Sequence, residues 1–98
     1  LYANSGSEAI DTALKLVWYF WNANGKPEKK KVIAREKAYH GSTIASASLT
    51  GLPRMHADFD LPIARIVRAP CPHYWKGAKD GETEEAFAAR MVMETEAI

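Results

Sequence analysis

Short apolar runs alternate with helix-like stretches along this sequence, and the alternation restricts the fold more than any other feature. The strand-like runs lie at 1–3, 32–34 and 64–69, and the helix-like stretches at 5–24, 44–49 and 82–98. Strands that alternate with helices form βαβ units, which build a mainly parallel sheet with helices on both faces. Such a sheet needs more than three strands, and 98 residues supply too few. We therefore expect an α/β fold and interpret residues 1–98 as part of a larger domain.

The first helix is expected to begin at Ser5 and to end at Asn24-Gly25. Ser5 and Glu8 fit a capping box, in which the hydroxyl accepts from an early backbone N–H and the carboxylate accepts from the N–H of the cap residue itself. Gly25 suits the left-handed backbone that closes a helix. Apolar residues at three- and four-residue spacing predict a helix buried over much of its surface, and they include Ala9, Ala13, Leu16, Val17 and Phe20.

The turn that precedes this helix, residues 4–9, has the composition of an anion-binding site. Along the chain, a strand-like run is followed by a Gly/Ser turn and then by a helix N-terminus. Free backbone N–H groups and the positive end of the helix dipole favour a phosphate there, and Gly6 allows close approach while the Ser7 hydroxyl can donate. The alternative is that Ser5 or Ser7 only caps the helix. The segment is not a P-loop, because no Gly-Lys-Ser/Thr follows at the required distance.

A second polar turn, residues 38–43, follows the second strand-like run. Tyr39 and His40 place an aromatic face beside a titratable ring, and Gly41 follows them. The alternative is a packed aromatic corner in which Gly41 serves only the backbone. In a parallel sheet the carboxyl ends of the strands meet at one edge, where ligands bind. We therefore expect the two turns to open on the same edge of the sheet.

Composition argues against several other classes of protein. Thirteen Lys and Arg against twelve Asp and Glu give a net charge of +1, too balanced to indicate nucleic acid or an anionic membrane as a partner. Residues 29–31 are three lysines without interleaved aromatics, so we interpret them as a solvated turn. Cys71 and His73 lack a second ligand pair, so no metal site is expected. No membrane segment is expected, and the lone cysteine favours a cytoplasmic setting.

Five separated motifs resemble those of one enzyme family, and they lie at 1–9, 25–27, 38–43, 48–51 and 71–75. Taken together and in this order, they resemble the class-III, fold-type-I aminotransferases that depend on pyridoxal phosphate. Within that family the sequence is most similar to the ω-amine:pyruvate transaminases. The resemblance covers nearly the whole chain. It implies that residues 1–98 are a partial large, cofactor-binding domain, with a mainly parallel sheet and flanking helices.

The resemblance also assigns roles to individual residues. Gly6 and Ser7 match the pair that binds the cofactor phosphate, and Tyr39 matches the ring that stacks on the cofactor pyridine. His40 is its neighbour in that motif and is expected to support the loop, while Ser42 occupies a position near the substrate pocket. The family's Schiff-base lysine, pyridinium-pairing aspartate and carboxylate-reading arginine have no counterpart in this sequence, so no catalytic residue is assigned.

The function implied is transfer of an amino group from an amine or ω-amino acid to a keto acid such as pyruvate. The expected partners are those small molecules and a second copy of the protein in a homodimer. A different class also fits the first turn: a phosphate- or nucleotide-binding α/β module without transaminase chemistry. Cofactor absorbance in the visible or near ultraviolet would separate the two classes.

Overall fold

The computed structural model describes all residues from Leu1 to Ile98, in an α/β arrangement with a two-stranded parallel sheet. The elements in chain order are α1 (Gly6–Ala23), β1 (Val32–Arg35), α2 (Ile44–Leu49), a 3-10 turn (Pro53–Met55), β2 (Ile66–Ala69), α3 (Tyr74–Gly77) and α4 (Glu84–Glu96). The expected α/β class with a parallel sheet and flanking helices is confirmed. No helix combines the length and the apolar character that a bilayer crossing requires.

The two strands pair in parallel, and the chain crosses between them through α2. Val32 lies opposite Ile66 and Arg35 opposite Ala69. Hydrogen bonds extend this ladder at both ends, from Val32 N–H to the Arg65 carbonyl at 2.9 Å and from Glu36 N–H to the Ala69 carbonyl at 2.9 Å. The second predicted strand, 32–34, is thus one residue short, and the third, 64–69, begins two residues early.

The core beside the sheet is made of small side chains. Ala34 and Ala69 are buried on the strands, and Ala47 and Leu49 are buried on α2. The hydroxyl residues Ser46, Ser48 and Thr50 are fully enclosed, and each donates or accepts hydrogen bonds within the fold. The small residues of α2 therefore allow the helix backbone to lie close against the strands. The predicted bounds of this helix, 44–49, are confirmed.

The first predicted strand, residues 1–3, is not a strand. Leu1 and Tyr2 are fully exposed and make no ladder hydrogen bond. A strand requires a neighbouring strand that accepts and donates its backbone hydrogen bonds. The sheet consists of β1 and β2 alone, and neither pairs with residues 1–3. The chain consequently enters α1 from an unpaired segment rather than from a strand end.

The ends of α1 agree with the prediction, with one change in its cap. Ser5 Oγ accepts from Glu8 N–H at 3.2 Å, as expected. The Glu8 carboxylate accepts from Asn4 N–H at 3.0 Å, one residue before the cap, and so the reciprocal bond is displaced from Ser5. The helix ends at Asn24, and Gly25 adopts a φ of 67°, the left-handed conformation that its position predicted.

The expected burial of α1 is wrong for this chain. Leu14 is its only buried residue, while Leu16, Val17, Tyr19 and Phe20 are each about half exposed or more. The reason is geometric: among the helices and strands of this chain, α1 packs mainly against α2. A continuous apolar face on α1 therefore remains uncovered.

The last helix is shorter than predicted and packs through an aromatic contact. Helix α4 begins after Thr83, whose side chain accepts from Ala86 N–H at 3.2 Å. Phe87 is buried against Tyr74, with ring centroids 5.6 Å apart, and Met91 is buried one turn later. Glu82 lies outside the helix because Thr83, with extended backbone, is the N-cap, and the Glu82 carboxylate is bound by Arg90. The short α3 that carries Tyr74 was not predicted.

Candidate functional site

The N-terminus of α1 presents backbone donors that the chain itself does not use. The N–H groups of Gly6 and Ser7 have no hydrogen-bond acceptor within the chain. Outside the helix itself, no atom lies within 4 Å of the position that a Gly6 Cβ would take, so α1 is uncovered beside Gly6. We call these two N–H groups and the Ser7 hydroxyl the anion cradle. Its donors and the helix dipole suit a phosphate or carboxylate.

The Ser7 side chain joins the first turn to the second. Ser7 Oγ accepts a hydrogen bond from Ser42 N–H at 3.1 Å, across 35 residues of sequence. Because the oxygen is used as an acceptor, the hydroxyl proton is free to be donated elsewhere. The two turns, which were expected to open on one edge of the sheet, are thus in direct contact, although the first turn follows an unpaired segment instead of a strand.

Gly41 is required where the two turns meet. Its φ is 135°, in a region that side chains rarely adopt. A Cβ at this position would overlap Ser7 Oγ and lie 2.5 Å from Ser46 Oγ. The absence of a side chain at Gly41 thus permits the close contact between Ser7 and the second turn.

Tyr39 and His40 lie on a loop that is braced by the residues after α2. His40 N–H donates to Thr50 Oγ1 at 2.9 Å. Gly51 pairs with this loop in both directions, since its N–H donates to the Ala38 carbonyl and its carbonyl accepts from Lys37 N–H, each at 2.7 Å. The Tyr39 ring is 64% exposed, so it is not packed into an aromatic corner in this chain. Its face is available to stack on a planar ligand.

Two charged residues that the sequence analysis did not single out organise this region. Asp11, on α1, accepts hydrogen bonds from Thr43 and Ser46 at the start of α2. Arg68, on β2, donates to three carbonyls at the end of α2. The i, i+4 spacing of Asp11 from Ser7 was the only signal for the first, and an arginine within an apolar strand was the only signal for the second.

Arg68 binds the C-terminal end of α2 with its guanidinium group. It donates to the Leu49 carbonyl at 2.6 Å, to the Thr50 carbonyl at 3.0 Å and to the Ser48 carbonyl. A cation at this end of a helix satisfies free carbonyls and suits the helix dipole. Partial burial lowers the pKa of Arg68, and the negative charge of Glu36 opposes that shift. Because Thr50 also accepts from His40, Arg68 contributes to the position of the Tyr39-His40 loop.

The strongest ion pair lies away from the anion cradle, between α4 and the segment before it. Arg90 donates to both carboxylate oxygens of Glu82 at 2.8 Å, to Glu94 at 3.0 Å and to the Gly77 carbonyl at 2.8 Å. Hydrogen bonding from Arg90, and then from Lys79 N–H, lowers the pKa of Glu82 to about 2. The same bonds to Glu82 and Glu94 raise the pKa of Arg90. This cluster stabilises α4 and supplies no reactive group.

The three consecutive lysines are engaged individually rather than forming one patch. Lys29 Nζ lies 4.2 Å from the centroid of the Trp21 ring. Lys30 Nζ donates to the Trp18 carbonyl at 3.0 Å, and Lys31 Nζ donates to the Ile98 carbonyl at 2.7 Å. Their contacts are structural, since Lys29 and Lys30 bind different residues of α1 and Lys31 binds the end of the chain.

Fold and site together define an α/β protein with an anion cradle at a helix N-terminus, joined to an exposed aromatic loop. The chain belongs to the class-III aminotransferase family, whose model, described as "Aminotransferase class-III", matches residues 1–97. The expectation that came from the five motifs is thereby confirmed.

Individual relatives agree with this family assignment. The chain is 59% identical over 95 residues to gamma aminobutyrate transaminase 1, mitochondrial, of Solanum lycopersicum, covering 97% of this chain and 18% of that protein. It is 57% identical over 97 residues to vanillin aminotransferase of Capsicum frutescens, covering 99% of this chain and 21% of that protein. The chain thus spans about a fifth of the length of these relatives.

Solved structures match the fold closely. One, named "Transaminase with L-ala", superimposes with a TM-score of 0.95 at 58% identity and covers 97% of this chain and 22% of that one. An omega transaminase from Pseudomonas jessenii in complex with PMP superimposes with a TM-score of 0.95 at 55% identity, covering 97% and 21%. The arrangement of α1, α2 and the sheet is therefore shared with transaminases.

Proposed function

We propose that the whole protein is a pyridoxal-phosphate-dependent transaminase that moves an amino group from an amine or ω-amino acid to a keto acid such as pyruvate. The observation that carries this proposal is the contact between Ser7 Oγ and Ser42 N–H, which unites the anion cradle with the Tyr39 loop. A phosphate- or nucleotide-binding module would need only the anion cradle. The Tyr39 loop beside the anion cradle, together with membership of the family, favours the aminotransferase.

The residues present fit the phosphate of pyridoxal phosphate. The N–H groups of Gly6 and Ser7 have no acceptor within the chain, and the Ser7 hydroxyl retains a proton to donate. Three donors and a helix dipole match the oxygens and the negative charge of a phosphate. We assign the binding of this group to Gly6 and Ser7.

Tyr39 would contact the ring of the cofactor, and His40 would support its loop. When bound, pyridoxal phosphate supplies an electron sink for the carbanion formed at the amine carbon. The exposed face of Tyr39 would fix the plane of the pyridine ring by stacking. His40 would hold the loop, through its backbone bond to Thr50.

We place Ser42 at the edge of the substrate pocket, next to the cofactor phosphate. Its N–H is committed to Ser7, and its side chain is exposed. Relatives named for gamma-aminobutyrate and for vanillin differ widely in substrate shape, so they support amine transfer as a class and not one particular amine.

We further propose that the protein is a homodimer in which the apolar face of α1 contributes to buried surface. This face carries Leu16, Val17, Tyr19, Phe20 and Trp21 and is largely uncovered within the chain. Large apolar faces of this kind are buried by other parts of a protein or by a second subunit. Sedimentation of the active full-length protein as a monomer would contradict the dimer.

A cytoplasmic location is proposed from the lone Cys71, which is a free thiol. Several relatives carry "mitochondrial" or "chloroplastic" in their names, so fractionation of cells must decide between compartments. Recovery of the protein in an organelle fraction would overturn the cytoplasmic proposal and leave the chemistry untouched.

The chemistry is tested by the two halves of the reaction. The full-length protein, mixed with an amine and no keto acid, should form one equivalent of carbonyl product and then stop, with the pyridoxal absorbance converted to that of the pyridoxamine form. Adding pyruvate should restore the first spectrum and permit turnover. Steady turnover without an acceptor would refute transamination, and absence of any cofactor absorbance would favour the nucleotide-binding class.

A further inference from the structure

A carboxylate one helical turn beyond Ser7 holds the second turn in place. Asp11 follows Ser7 by four residues, so both side chains project from the same face of α1. Asp11 Oδ1 accepts from Thr43 Oγ1 at 2.7 Å and from Ser46 N–H at 3.2 Å. Ser7 Oγ accepts from Ser42 N–H. Successive turns of α1 thus bind successive residues, 42 and 43, of the loop before α2.

Asp11 adds to the cap of α2. Thr43 and Ser46 form a capping box at the start of this helix. In addition, the Thr43 hydroxyl and the Ser46 N–H both donate to Asp11. Ser46 is fully buried and its Oγ accepts from Thr43 N–H at 3.0 Å. The start of α2 is therefore fixed by a residue that is distant in sequence.

We infer that Asp11 is a positioning residue for the anion cradle. Through Thr43 and Ser46 it holds Ser42 where the Ser42 N–H meets Ser7 Oγ. With that lone pair occupied, the Ser7 hydroxyl proton is directed away from the loop and toward a bound phosphate. If the start of α2 shifts, Ser7 loses this orientation. The inference rests on the proposed function, because it assigns Asp11 a role in binding the cofactor phosphate.

The test compares two probes in the full-length enzyme: pyridoxal phosphate and pyridoxal, which lacks the phosphate. Asp11→Ala should raise the Kd for pyridoxal phosphate about tenfold, as expected for a lost hydrogen bond to a charged group, and change the Kd for pyridoxal by less than about twofold. In Asp11→Asn the amide oxygen can accept the same two hydrogen bonds. This variant should keep the affinity for pyridoxal phosphate within about threefold of wild type.

A matched control separates positioning from general destabilisation. Leu14→Ala removes a buried side chain from the same helix and should lower Tm, yet leave the ratio of the two Kd values unchanged. Amide exchange in the cofactor-free protein provides a second readout: the Ser46 N–H should exchange faster in Asp11→Ala and not in Asp80→Ala, which alters an exposed turn.

The outcomes distinguish the two proposals. Equal loss of affinity for both probes, or an unchanged Kd for pyridoxal phosphate in Asp11→Ala, would overturn the positioning role and leave the proposed function intact. A wild-type protein that bound no pyridoxal phosphate would refute the proposed function itself. Selective loss of phosphate-dependent affinity, restored by Asp11→Asn, would support the inference.

Discussion

The hydroxyl of Ser7 has two roles at the residue scale, because it accepts from Ser42 and remains able to donate. We expect Ser7→Ala to weaken cofactor retention by about 1.5–3 kcal/mol, the contribution of a hydrogen bond to a charged group. At saturating cofactor the rate should stay near wild type, since the reacting atoms are not touched. Cofactor titration and kcat of the full-length enzyme provide the measurement. A variant with normal affinity would remove Ser7 from the phosphate site.

Tyr39 should behave differently, because its exposed ring offers a stacking surface rather than a charge contact. Tyr39→Ala is expected to cost on the order of 1 kcal/mol of cofactor binding beyond lost area, and to lower kcat even at saturating cofactor as the cofactor ring tilts. Tyr39→Phe keeps the ring and serves as the control. If Tyr39→Ala left both quantities unchanged, the loop would not contact the cofactor.

Glu82 should make the stability of the protein depend on pH in acid. Hydrogen bonds from Arg90 lower its pKa from 4.5 to about 2. A carboxyl whose pKa is lower in the folded state stabilises that state above its unfolded pKa, and the contribution disappears as pH falls through the folded value. The free energy of unfolding in urea should therefore differ between wild type and Glu82→Gln at pH 6. This difference should disappear as the pH falls from about 4.5 to 2. A difference independent of pH would contradict this origin.

At the scale of elements, the pairing of Gly51 with the Tyr39-His40 loop leaves no room for a side chain. A Cβ at Gly51 would overlap the Arg35 carbonyl oxygen and lie 2.7 Å from the Lys37 nitrogen. We expect Gly51→Ala to destabilise the protein by about 1–3 kcal/mol, the usual cost of overpacking, and to weaken cofactor binding as the loop moves.

Gly25→Ala is the matched control for Gly51→Ala. Gly25 has a left-handed φ of 67° with no atom near its missing Cβ, so its replacement should cost only about 1 kcal/mol and leave cofactor affinity unchanged. Thermal melts and cofactor titrations of both variants provide the comparison. Equal effects of the two variants on thermal stability and cofactor affinity would show that the residues around Gly51 can accommodate a side chain.

The elements that local signals specify were predictable from the sequence. Ser5, Gly25 and the small residues of 44–49 act within a few positions of themselves, and the structure places their helices where expected. The failure at residues 1–3 involves a distant partner, because a strand needs a neighbouring strand. The bond of Glu8 with Asn4 instead of Ser5 is a smaller, local difference.

The residues of the candidate site also fall into two groups: those that local sequence indicates and those that depend on tertiary packing. The donors at Gly6 and Ser7 follow from the turn before a helix, so the sequence indicates them directly. Asp11 accepts a hydrogen bond from Thr43, and Arg68 donates hydrogen bonds to the end of α2. Both interactions depend on how the helices and strands pack. Neither residue stands out in a sequence that contains many charges, because only the fold brings its partners together.

At the scale of the whole molecule, the 98-residue chain exposes more surface than an independent domain of its size. Its accessible surface is 7145 Å², whereas a compact monomer of 10.9 kDa exposes about 5,600 Å². The radius of gyration is 15.7 Å, against about 13 Å for a typical domain of 100 residues. Only 11 of the 98 residues are buried, which is a small core for the entropy that folding must overcome.

We therefore expect the 98-residue chain on its own to lack a sharp cooperative thermal transition. Uncovered apolar surface on α1 should also promote its association at micromolar concentration. Calorimetry and circular dichroism of the isolated chain, beside the full-length protein as control, give the measurement. A single two-state melt of the isolated monomer would disprove this prediction.

The hydrogen bond between Ser7 and Ser42 has a consequence for the order of events during synthesis. Helix α1 can form as soon as its own residues leave the ribosome, but the bond must wait until Ser42, 35 residues after Ser7, has emerged and α2 has docked. Closing that loop costs entropy that only the later contacts offset. A growing chain therefore holds α1 without a finished phosphate site, and capture of the cofactor becomes a late event that follows tertiary docking.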